Sequence, residues 1–214
     1  MQNVTEVERH AAPAGHPQPL AFYEGSLWAG AWDTDHIYAI DTKTWSVVND
    51  VAAPGKPYGL ARLDGHLAAV VSLGEDDDRY LYRFDAASGF DPASKAACPD
   101  FTGSHLAING ETLYLCQLGK RRILVLDTAG KIARTIALPT RLAGLGFGPG
   151  GASYMISADE EWENLALARV DLSKDEAVVE PVAAIPFDAR ALAFDGTRWW
   201  TSHRDANEIV AFTE

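Results

Sequence analysis

Leu60-Ala-Arg-Leu-Asp64-Gly65-His66-Leu-Ala-Ala-Val-Val71 sets two short apolar runs on either side of an Asp-Gly pair. The same plan returns at Leu106-Ala-Ile-Asn109-Gly110-Glu111-Thr-Leu-Tyr-Leu115 and at Leu192-Ala-Phe-Asp195-Gly196-Thr-Arg-Trp-Trp200. Asn-Gly and Asp-Gly favour the positive φ angles of a tight hairpin turn, so each stretch reads as two antiparallel strands rather than two helices. Further out lies a second phrase, apolar-x-x-apolar-Asp, at Ile37 to Asp41, Leu81 to Asp85, Ile123 to Asp127 and Leu167 to Asp171. Its aspartates stand 44, 42 and 44 residues apart, and Ile209-Val-Ala-Phe-Thr213 is a degenerate fifth copy. Ala-x-Pro recurs at Pro13, Pro54, Pro99, Pro139 and Pro186, and Leu-Ala or Leu-Gly starts at Leu20, Leu60, Leu106, Leu145 and Leu192.

Phrases that keep step over a period near 43 are the mark of a repeat architecture. No segment carries a sustained 3.6-residue apolar stripe of helical length, and each unit holds short runs rich in β-branched and aromatic residues. The expected fold is therefore all-β, a five-bladed β-propeller of four-stranded antiparallel blades in a single domain spanning 1–214. The last unit supplies only three strands, and its missing outer strand is found before Ala11-Ala12-Pro13. Val4–His10 is expected to pair with Ile209–Thr213 and close the ring, since an open ring exposes sheet edges.

The 214 residues carry 18 Lys plus Arg against 30 Asp plus Glu, a formal charge of −12. That balance argues against a nucleic-acid or anionic-membrane partner, and no apolar run is long enough to span a bilayer. With no signal-peptide layout in residues 1–19 and only Cys98 and Cys116, a cytoplasmic monomer is expected.

In a propeller, the segments entering the inner strands and the connections between second and third strands build one end of the channel. These segments bring Gln18, Trp32, Asp33, Tyr58, His105, Gln117, Arg141, Asp159, Trp162, Arg190 and His203 as candidate ligand-binding residues. His105 stands where the other blades have Pro19, Gly59, Gly144 and Ala191; it and His203 are the candidate catalytic groups, with a loop-bonded histidine as the competing reading. Arg141 and Arg190 suit a clamp on a carboxylate or phosphate, against simple pairing with Asp188, Asp33 or Asp159. Exposed Trp32 and Trp162 suit ligand contact, whereas Trp28, Trp45, Trp199 and Trp200 read as packing residues.

Glu75-Asp-Asp-Asp78 offers carboxylates to a hard cation such as calcium, but consecutive residues in an extended loop point apart, so a solvated loop is the competing reading and no metal or cofactor is expected. Lys120-Arg-Arg122 is too short for a nucleic-acid site. The repeated Asp41, Asp85, Asp127 and Asp171 read as turn residues bonding their own backbone. There is no Gly-rich phosphate loop, Gly-x-Ser-x-Gly elbow or His-Glu-x-x-His motif.

Leu20-Ala-Phe, Gly25-Ser-Leu-Trp-Ala-Gly30 and Ile37-Tyr-Ala-Ile-Asp41 resemble the repeat of Y-V-T-N and NHL-type propellers and of gluconolactonase-like enzymes. Among five-bladed propellers, Gln18-Pro19-Leu20 is similar to the first element of the glutamine cyclotransferases (glutaminyl cyclases). Ala29 stands where that resemblance puts the catalytic acid, and Glu24-Gly25-Ser26 only mimics the lactonase metal-ligand element from the opposite end of the blade. The expectation is a binding or scaffold propeller for a small polar molecule or peptide. An enzyme of lactonase, cyclotransferase or lyase type is the alternative.

Overall fold

The computed structural model describes residues 1–63, 65–127 and 130–214, so Asp64 of the opening stretch lies outside the described residues. Five antiparallel sheets form among them. From the axis outward, blade 1 is Pro17–Tyr23, Ser26–Ala31, His36–Asp41 and Ser46–Ala52. Blade 3 is His105–Asn109, Thr112–Gln117, Arg122–Leu126 and Ile132–Ala137. Blade 4 is Arg141–Phe147, Ser153–Ala158, Leu165–Asp171 and Val178–Ile185. Blade 2 begins with Lys56–Leu63, His66–Leu73 and Asp78–Asp85. Its outer strand departs from the four-strand plan: two fragments, Gly89–Phe90 and Ala96–Ala97, pair with the third strand on either side of a 3-10 turn at Pro92–Ser94. Pro92 has no N–H for the ladder, and the Asp91 carboxylate caps the turn by accepting from the Ala93 N–H at 2.9 Å.

Blade 5 is Ala189–Phe194, Trp199–His203 and Glu208–Thr213, completed by Thr5–Ala11 from the start of the chain. Thr5 lies opposite Thr213 and Ala11 opposite Glu208. The strand begins one residue later than expected because Val4 leaves the sheet. Its N–H donates to the Ala184 carbonyl at 2.9 Å, and its side chain is buried between blades 4 and 5. The inner strands neighbour one another all the way round. The chain is a five-bladed β-propeller.

Apolar clusters fill each interface between adjacent blades; Trp200, Leu20, Leu27 and Ile209, for example, pack between blades 5 and 1. This explains why second strands such as His66–Leu73 are buried along both faces while the outer strand Ser46–Ala52 is mostly exposed. Trp45 ties the outer turn of blade 1 to the closing strand: it stacks on His10 at 4.0 Å and donates from Nε1 to the Ala11 carbonyl at 2.9 Å. Turn aspartates bind their own backbones, as Asp41 does with the Lys43 N–H at 2.8 Å and Asp85 with the Ala87 N–H at 2.8 Å. Those bonds hold both carboxyls below the usual aspartate range.

Around the axis the repeat sorts the inner strands into layers. One layer is Pro19, Gly59, His105, Gly144 and Ala191. Here the strands close on each other: a Cβ on Gly144 would stand 2.5 Å from the Ala191 carbonyl carbon, and one on Gly59 would stand 2.8 Å from the Leu106 nitrogen. Neither glycine has room for a side chain, because the neighbouring atoms are backbone. Gly144→Ala is expected to cost about 2 kcal/mol of unfolding free energy, measured by urea denaturation. An unchanged midpoint would mean that blades 4 and 5 do not touch at this layer. Four inner strands carry a bulge near it, between Pro17 and Leu20, Pro57 and Gly59, Leu142 and Gly144, and Arg190 and Ala193. Blade 3 has none, and His105 lies directly opposite Cys116.

Candidate functional site

The layer immediately before this constriction is Gln18, Tyr58, Ser104, Ala143 and Arg190, one residue from each blade. All five line a cavity of about 250 Å³ at the channel mouth, together with Trp32, Trp162 and Arg204 from the connections. The bulges re-aim the residues beside them, a usual role of the extra residue in a strand. Each connection also contains one non-glycine residue in the left-handed region: Asp35, Asp77, Arg121, Trp162 and Asn207. Aspartate and asparagine tolerate that geometry, but a tryptophan at φ +61° is a strained residue held by its surroundings. What holds Trp162 is cationic: Arg190 sits 4.3 Å from its ring and Arg141 sits 5.8 Å away.

The opposite wall repeats the pairing. Arg204 lies 5.2 Å from the Trp32 ring, Trp32 packs on Tyr58 at 4.6 Å, and Arg79 covers Tyr58 at 3.5 Å. The Trp32 Nε1–H donates to the Pro57 carbonyl at 2.8 Å and so fixes the indole. Burial holds the Tyr58 hydroxyl above its usual pKa against the pull of Arg79, so it stays a neutral phenol.

The guanidiniums are short of acceptors. Arg190 is 13% exposed and gives Nη2–H to Asp188 Oδ1 at 2.7 Å, and its Nη1 is buried without a partner. Arg204 reaches Gln18 Oε1 at 3.2 Å and Asp188 Oδ2 only at 4.0 Å, so that carboxylate oxygen, like Arg190 Nη1, is buried without a hydrogen-bond partner. Two guanidiniums carry roughly ten N–H donors. Burial lowers the Arg190 pKa, opposed by Asp188, yet an arginine stays protonated at neutral pH.

Gln18, Trp32, Tyr58, Trp162 and Arg190 thus meet at one cavity. Asp33 lies outside it, bonded to the His16 ring at 2.7 Å. Asp159 folds into its own loop, accepting from the Glu163 N–H at 2.9 Å and from the Asn164 amide. Gln117 is buried and spends its amide on the Pro99 and Thr102 carbonyls at 2.6 and 2.9 Å. Arg141 stands two residues before the lining position of its blade, behind Trp162, and pairs with Glu160 at 3.1 Å. His203 faces the ring closure, accepting from Arg9 at 2.9 Å and packing on Phe187. His105 is one layer too deep. Fully enclosed, its Nε2–H donates to the Leu145 carbonyl at 2.8 Å, and burial depresses its pKa to about 4 despite that bond. Arg204 is the charged lining residue that the sequence reading did not single out. It is the repeat equivalent of Trp32, and His203 precedes it just as Ala31 precedes Trp32.

Glu75–Asp78 does not gather: Asp77 turns to Arg79 at 2.7 Å and accepts from the Tyr58 hydroxyl at 3.2 Å. Among the described residues no group of three or more His, Cys, Asp or Glu side chains is arranged to hold a metal ion, and no helix is long and apolar enough to cross a membrane. Cys98 and Cys116 are buried free thiols, and burial pushes the Cys98 pKa up to about 12.

No protein-family model and no curated protein sequence matches the chain. Solved structures do. Myxococcus xanthus glutaminyl cyclase is similar with a TM-score of 0.71 at 10% identity, over 99% of this chain and 97% of that one. Staphylococcus aureus virginiamycin B lyase is similar at 0.53 and 12%, over 97% and 98%. Kuenenia stuttgartiensis hydrazine synthase gives 0.53 and 16%, over 91% of this chain but only 57% of that one. What they share with this chain is the fold. Ala29, at the position of the cyclases' acid in the sequence resemblance, is buried in the core between blades 5 and 1.

Proposed function

We propose that this propeller is a binding protein for a small anionic molecule, a carboxylate or phosphate carried on a flat apolar body, seated at the channel mouth. The observation that carries the reading is the buried, unpartnered Arg190 Nη1 beside Arg204, two guanidiniums sharing the single carboxylate of Asp188. Buried N–H groups without acceptors are costly, and an anion with in-plane lone pairs satisfies them in the fork geometry arginine prefers. Trp162 and Trp32 lie against the two guanidiniums and supply apolar walls for the body of the ligand. A cavity of about 250 Å³ suits a molecule smaller than a typical drug. The carboxyl end of a peptide offers the same chemistry.

Catalysis of lactonase, cyclotransferase or lyase type is the second reading, suggested by the similar enzymes. It needs a group that exchanges a proton near neutral pH. His105, depressed to about 4 and closed off beneath the mouth, does not supply one. The test is a calorimetric titration with matched acids and amides: benzoate against benzamide, and indole-3-acetate against indole-3-acetamide. At least one acid is expected to bind ten or more times tighter than its amide, and Arg190→Gln to remove about tenfold of that affinity while sparing the amide. Equal binding of acid and amide would remove the reading.

A further inference from the structure

The constriction has a second side. Beyond the layer of Pro19, Gly59, His105, Gly144 and Ala191, the channel opens again into a cavity of about 420 Å³ that shares no lining residue with the mouth described above. Its inner wall is the layer Leu20, Leu60, Leu106, Leu145 and Leu192. These leucines are buried between blades, so the wall presents the free inner edges of the first strands. Two residues further along each inner strand, the repeat places a five-membered collar: Phe22, Arg62, Ile108, Phe147 and Phe194. The aromatic members are anchored from behind, Phe147 by Tyr114 at 5.1 Å and Phe194 by Trp199 at 4.8 Å, and keep part of their surface open. Arg62, exposed, is the collar's one charged member.

We infer that this far end of the channel is a second, independent ligand site, and that it takes an amphipathic monoanion: an apolar chain or ring carrying a single carboxylate or sulfonate. The four apolar collar positions cover an apolar body at the rim, the free strand edges beneath them offer hydrogen bonds to polar atoms reaching into the channel, and the one cation at the fifth position pairs with one head group. The inference goes beyond the reading of the arginine-rich mouth. That mouth offers two guanidiniums against indole walls; this one offers three phenylalanines, an isoleucine and one guanidinium. The volume falls in the usual range of small-molecule sites. The two cavities share no lining residue, so occupants of the two ends contact different side chains.

The probe is cis-parinarate, a fluorescent chain carboxylate with no flat ring for the indole-walled mouth, titrated by fluorescence into the folded protein and then displaced with octanoate or octanol. Saturable binding of one probe per chain is expected, with octanoate displacing it at least tenfold better than octanol. Arg62→Gln, an exposed change, is expected to abolish that preference, and Phe147→Ser to weaken probe binding tenfold or more. Arg190→Gln is expected to leave probe binding unchanged, which separates this site from the other mouth. Absence of saturable binding, an octanoate preference that survives Arg62→Gln, or loss of probe binding in Arg190→Gln would each overturn the inference.

Discussion

Removal of residues 1–11 is expected to lower the melting temperature by more than about 10 °C, the largest effect of any change considered. The deletion strips the outer strand from blade 5 and leaves the Glu208–Thr213 edge unpaired. It also removes Val4 from the core between blades 4 and 5, the ion pairs of Arg9 with Glu208 and of Glu8 with Arg198, and the His10 stack on Trp45. Native domains are stable by only about 5–15 kcal/mol. For a chain of this size 1 kcal/mol moves the melting temperature by roughly 2–4 °C, so a loss of several kcal/mol gives a shift of this order. A synthetic peptide of residues 1–11 added to the truncated protein is expected to restore much of the loss, because the vacated edge is a template for one strand of that register. Truncated protein that melts within about 5 °C of the full chain would contradict ring closure by this strand.

Acid lability from His105 is the second large effect. Burial holds the imidazole neutral down to about pH 4, whereas in the unfolded chain it titrates near the ordinary 6.5. Above pH 6.5 both states carry neutral imidazole and the stabilisation is fully present. As pH falls below 6.5 the unfolded chain takes up a proton that the folded one refuses, and stability declines until about pH 4. A displacement of this size corresponds to about 3 kcal/mol. Unfolding free energies measured by denaturant at pH 7 and pH 4 should therefore fall by about 3 kcal/mol more for the native chain than for His105→Gln. Glutamine retains a donor for the Leu145 carbonyl but no titrating ring. Carboxylates such as Asp41 and Asp85 are common to both proteins and cancel in the comparison. Parallel pH profiles would show that His105 is not sealed in.

Repeat phrases made the fold legible, because the hairpin dipeptides and the Ala-x-Pro and Leu-Ala phrases mark the same structural points in every blade. The turns themselves vary more than the dipeptides suggest. Glu24 and Gly25 both take positive φ in blade 1, whereas in blade 3 Gly110 does so alone and Asn109 stays in its strand. Which candidates line the mouth was legible where the count from the repeat was right to a single position. Gln18, Tyr58 and Arg190 precede the constriction and line the mouth; His105 is one residue further on and is enclosed. On the second strands the same slip separates Gln117 and His203 from Leu118 and Arg204, and in an extended chain neighbouring side chains point to opposite faces. The bulges near the axis shift this count blade by blade, and no short phrase announces them. Trp162 depends on the six residues between Ala158 and Leu165, where the other four connections have four, a difference the repeat does not encode.

We propose Arg190 and Arg204, backed by Trp162 and Trp32, as the seat for an anion. This proposal is tested most directly by a crystal structure of the protein with the tightest-binding acid of the benzoate and indole-3-acetate pairs. The carboxylate oxygens are expected to lie within hydrogen-bonding distance of the Arg190 and Arg204 guanidiniums, with the ring of the ligand against Trp32 or Trp162. An acid seated with its carboxylate turned to solvent, or bound away from these two arginines, would contradict it.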